Sequence, residues 1–111
     1  MDDRLKTIAD HYGLDSQLNI LQEELSELIQ AVSKYRRGDP SHILEEIADV
    51  EIMLDQVKYL LGNPEIPRVV VEKFIKIIRE DKIKRQLNRI QEEAADNEKR
   101  LNISVTIAAI S

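Results

Sequence analysis

Between Ser16 and Arg37, apolar residues return every three or four positions. Leu18, Leu21, Leu25, Leu28, Ile29 and Val32 share one stripe roughly 100° wide, the pattern of an amphipathic helix with its core face there. A second segment, about Ser41 to Leu61, repeats it with Ile43, Ile47, Val50, Leu54, Val57 and Leu61. A short segment from Asp3 to His11 and a long basic one from Pro67 to Glu98 complete four predicted helices. The breaks are chemically marked. Gly13 stops the first helix and Asp15 or Ser16 caps the second; Gly38 then closes the second, with Pro40 and Ser41 near the next start, and "GNPEIP" separates the third from the fourth. These boundaries predict one all-α domain over residues 1–100. Residues 101–111, "LNISVTIAAIS", turn abruptly to β-branched and small side chains; a strand, a clasp on a partner subunit and disorder all remain open for this tail.

The polar positions are less ordinary than the apolar ones. Asn19, Gln22, Ser26, Gln30, Ser33 and Arg37 form a mostly uncharged side that reads as the solvent face. Glu23, Glu24 and Glu27 occupy neither this side nor the apolar stripe, but a third sector flanked by Ile20 and Ala31. In the next segment Glu46 and Asp49 likewise share a sector with Met53, Gln56 and Leu60. Two helices joined by the short "GDPS" connection are expected to pack antiparallel, which brings up to five carboxylates to one groove. Like charges that close in a partly desolvated groove cost several kcal/mol unless protons or a cation neutralise them. The pattern therefore predicts a metal site, and an oxygen-only ligand set favours a hard ion, Mg²⁺ or Mn²⁺.

Composition narrows the alternatives. With 111 residues the core is modest, and such a chain is expected to complete its burial by oligomerising. Only three glycines and three prolines interrupt a sequence that is 42% hydrophobic and 33% charged, a balance that suits a helical bundle. No cysteine is present, which removes disulfides, thiolate zinc sites and a cysteine nucleophile. The net charge of −5 argues against duplex nucleic acid as a partner. The start "MDDRLKTIADHYGL" has no basic-then-apolar signal and no segment is apolar enough to span a membrane, so a cytoplasmic location is expected.

"EELSE", followed after 18 residues (28–45) by "EIAD", resembles the EExxE…ExxD signature of the MazG-like, all-α nucleoside triphosphate pyrophosphohydrolases. "LQEELSELIQAVSKYRRG", "ILEEIADVEIMLDQVKYLLG" and "DKIKRQLNRI" also read like successive helices of that family, so the resemblance covers roughly Leu18 to Gln91. It implies a MazG-like bundle completed by oligomerisation into a homodimer or homotetramer. It also implies Mg²⁺-dependent cleavage of an NTP or dNTP to monophosphate and pyrophosphate. Its metal-binding carboxylates fall on Glu23, Glu24, Glu27, Glu46 and Asp49, and Glu24 or Glu27 is the candidate general base. Gln56 stands where several relatives carry asparagine, which makes it a candidate base or sugar contact.

Among the basic residues, Lys82 and Arg85 on the last helix and Lys34 near the end of the second are candidate phosphate contacts. Arg89, Arg36 and Arg37 are weaker candidates for that role. His11 and His42 lie near helix ends and are poor ligand candidates, and Tyr35 and Tyr59, which could stack on a base, read first as interface-packing residues. Two other functions fit parts of the pattern: a noncatalytic helical interaction module, and phosphoribosyl-ATP pyrophosphatase, whose fold belongs to the same superfamily. A carboxylate-bridged iron bundle is disfavoured because neither acidic motif supplies a Glu-x-x-His pair.

Overall fold

A computed structural model describes every residue from Met1 to Ser111, and it is all-helical. Its elements are α1 (Asp3–Tyr12), α2 (Leu14–Arg36), α3 (Ile43–Leu60) and α4 (Arg68–Ile110). Packing divides the chain into two units, Met1–Glu72 and Lys73–Ser111. No helix is long and apolar enough to cross a membrane.

The helix ends follow from the residues placed there. Asp2 caps α1 by accepting the Arg4 backbone N–H at 2.9 Å, with Asp3 adding negative charge to the first turn. Gly13, at φ +83°, ends α1 by donating its N–H to the Ala9 carbonyl, and α2 starts immediately after it. At the other end of α2, Gly38 takes φ +96° while its N–H reaches Tyr35 and that of Asp39 reaches Lys34, the paired bonds of a Schellman cap. Beyond α3 the Asn63 carboxamide accepts the N–H groups of Glu65 and Ile66, which fixes the turn into α4.

The interior of the first unit differs from the stripe that periodicity selects. Its buried residues are Ala9, Ala31, Val50, Met53 and Val57, together with Gln17 and Gln56. On α2 the inward series is Gln17, Leu21, Glu24, Leu28 and Ala31, so the acidic sector faces α3. Leu18, Leu25, Ile29 and Val32, expected to form the core contact, are exposed, Ile29 by 68%. The third helix repeats the correction, for Val50 and Val57 are buried while Ile47, Leu54 and Leu61 point outward. Periodicity reports that a face is apolar without saying which surface covers it. Here α2 meets α3 on the more polar face, where Ala31 is buried.

A side-chain clamp completes this unit. The Tyr59 hydroxyl donates to Asp10 at 2.8 Å, tying α3 to α1, and the Arg68 guanidinium sits 5.4 Å from the centre of the Tyr59 ring. Tyr59 thus links α1, α3 and the start of α4 within one chain.

The second unit is helix throughout. Residues 101–110, for which three conformations were open, continue α4 to Ile110, and no residue of α4 is buried.

Candidate metal centre

Glu24 on α2 and Glu46 and Asp49 on α3 each offer a carboxylate oxygen to a cluster in which all three atoms lie within 4.8 Å of one another. The helical spacing explains the set. Glu46 and Asp49 are three residues apart, so they rise from one face of α3, and the antiparallel α2 brings Glu24 against that face. All three are half-buried. One oxygen of Glu24 and one of Glu46 are closed off from solvent without a hydrogen-bond partner.

Such oxygens are costly unless something neutralises them. Burial, followed by the charges of Glu27, Asp49 and Glu46, pushes the Glu24 carboxyl up to about 7. Glu46 is raised for the same reasons, burial first and then Glu27 and Asp49. The donor set fits a hard divalent ion. Oxygens bound to one Mg²⁺ at about 2.1 Å stand roughly 3 to 4 Å apart, so a small rotamer adjustment closes the cluster on an ion.

The remaining site residues separate clearly. Glu27 lies against both Glu24 and Glu46 at the open side of the cluster. It also lines a groove of about 320 Å³ with Gln30, Ala31, Lys34, His42 and Glu46. Lys34 is therefore beside the acids. Glu23 is exposed and, together with Glu27, lines a shallow depression that also takes in Asn19, Gln22 and Ser26; it is not among the three carboxylates that meet. At 100° per residue Glu23 stands about 100° from Glu24 but only about 40° from Glu27, so it shares the exposed side of α2 with Glu27. Gln56 is on the same side of α3 as Asp49 but two turns away, 2% exposed, with its side-chain oxygen unpartnered. Lys82 and Arg85 belong to the second unit, where Arg85 pairs with Asp81 at 2.9 Å and Lys82 is exposed.

His42 is the groove residue that sequence reasoning set aside. It directly precedes α3 and lies one turn before Glu46, and that four-residue spacing was the available signal.

The titration of Glu24 has a consequence for stability. Its unfolded carboxyl titrates near 4.5 and its folded one near 7, so the folded state holds more protons between those values. The stabilisation this gives is complete below about pH 4.5 and is lost as pH rises through 7. Thermal unfolding of chelator-treated protein is expected to show a midpoint that falls across this window. A midpoint that rises between pH 5 and 7 would contradict the crowded, buried environment of Glu24.

No family model matches the chain, and comparisons with curated proteins and with solved structures also return no match.

Proposed function

We propose that the protein is a metal-dependent nucleoside triphosphate pyrophosphohydrolase. The observation that carries this reading is the half-buried cluster of Glu24, Glu46 and Asp49 with unpartnered carboxylate oxygens, opening beside Glu27 onto a groove that holds Lys34. The resemblance of "EELSE" and "EIAD" to the MazG-like signature supports it and specifies the substrate class.

In this reading Glu24, Glu46 and Asp49 hold Mg²⁺, with Mn²⁺ able to replace it. The ion, when bound, supplies charge neutralisation for a triphosphate and acidifies a water. Glu27 is the residue placed to accept the proton of the attacking water, since it borders the cluster from the exposed side. Glu24 sits deeper and serves to hold the ion. Lys34 offers its ammonium to phosphate oxygens in the same groove, and His42 closes the far side. No side-chain nucleophile is required.

The outward stripe of Leu18, Leu25, Ile29 and Val32 fits a homodimer or homotetramer, in which another copy covers it. The same stripe would serve a noncatalytic interaction module, and the reaction distinguishes the two. Full-length protein incubated with Mg²⁺ and each common NTP and dNTP is expected to release monophosphate and pyrophosphate from at least one, and chelation should stop the release. Including phosphoribosyl-ATP separates the histidine-pathway alternative. Diphosphate plus orthophosphate as products, or no turnover by folded, metal-supplied protein, would overturn the assignment.

A further inference from the structure

We infer that a second copy of this chain packs antiparallel along α4 through a seam running from Ile83 to Leu101. This pairing is independent of the metal site and of the proposed reaction. Ile83, Leu87, Ile90, Ala94, Asn97 and Leu101 recur at alternating spacings of four and three residues. On an α-helix they fall within roughly 80° of one another. That is the repeat of a two-helix seam, sustained through the part of α4 in which every side chain is exposed. The four large aliphatic residues among them are 42 to 63% exposed.

Self-complementarity identifies the occupant. In the antiparallel pair centred near residue 92, Ile83 meets Leu101 of the second copy, Leu87 meets Asn97, and Ile90 meets Ala94. A large side chain thus faces a smaller one or another aliphatic at each level. Beside these layers Lys84 stands opposite Glu98 twice, once on each side of the two-fold axis, and the one like-charge contact is Glu93 with its own copy. A parallel, in-register pair would bring Asn97 onto Asn97. It would also set Arg79 against Lys84 and Glu93 against Glu98, each twice, giving four like-charge contacts and no opposite-charge one. The charges therefore select the antiparallel arrangement. Lys82 and Arg85 lie on another side of α4 and stay clear of the seam.

The absence of cysteine makes the test direct. Full-length Ile83→Cys and Leu101→Cys proteins, both altered at exposed positions, are mixed in a glutathione redox buffer, one of them isotopically labelled. A disulfide-linked dimer containing one of each is expected, and neither protein alone should cross-link, because identical positions stand about 27 Å apart along an antiparallel pair. Homodimeric disulfides from each protein alone, or no cross-link in the mixture, would overturn the proposal. Sedimentation gives a second reading: Lys84→Glu should weaken self-association by roughly tenfold, and Lys84→Glu/Glu98→Lys should restore it. A Lys84→Glu protein that associates as tightly as the wild type would equally count against the pairing.

Discussion

Replacing Glu24 by glutamine is expected to raise the unfolding midpoint of the metal-free protein at pH 8 and to remove its response to Mg²⁺. The wild-type carboxylate is ionised at that pH, held among Glu27, Asp49 and Glu46 in a site that burial makes unfavourable for charge. Glutamine has nearly the same shape without the charge, so the folded state loses repulsion while the unfolded state loses nothing comparable. A rise on the order of 5 °C at pH 8, shrinking towards zero near pH 4, is the expected profile for a domain of this size. In the wild type, millimolar Mg²⁺ should lift the midpoint in a concentration-dependent way, because an ion that binds only the folded state stabilises it by mass action. Glu24→Gln, lacking a ligand, should show little of that lift. A variant that is less stable than wild type at pH 8 without metal would indicate that Glu24 is held by a favourable contact and not by crowding.

The second large effect concerns turnover. Asp49→Asn is expected to reduce kcat for pyrophosphate release by at least about a hundredfold, since loss of a ligating carboxylate exceeds the loss seen when outer contacts are removed. Lys34→Ala should behave differently, raising KM while leaving kcat within a fewfold of wild type, if its ammonium serves to bind phosphate in the ground state as well as the transition state. Steady-state kinetics across a Mg²⁺ titration separates the two. Asp49→Asn activity equal to wild type at every Mg²⁺ concentration would place Asp49 outside the reacting centre.

The helices and the acidic triad were legible because each depends on local spacing. Gly13 and Gly38 stop helices through backbone conformations that a side chain disfavours, and Glu46 and Asp49 share a face whatever packs on it. What the sequence left obscure was tertiary. The leucine stripe of α2 is the stronger apolar signal, yet the first unit closes on Gln17, Leu21, Glu24, Leu28 and Ala31. An apolar stripe is equally available to a neighbouring element or to another chain, and nothing in its period separates them. Residues 101–110 were ambiguous because their β-branched content conflicts with helix propensity, and continuity with the preceding turns of α4 prevails.

The acids of the candidate metal centre all come from one helical hairpin, with Arg36 and Ile43 bounding its connection. Their contacts are consequently short-range in sequence, and the entropy of closing so small a loop is modest. Local contacts of this kind favour early formation, so the carboxylates are expected to meet before most of the interior is assembled. If this contact forms before the rate-limiting step, repulsion at Glu24 and Glu46 is expected to slow folding, and protonation or a divalent ion to speed it, which stopped-flow refolding with and without Mg²⁺ would read. A folding rate that varies with pH and with Mg²⁺ is the expected consequence.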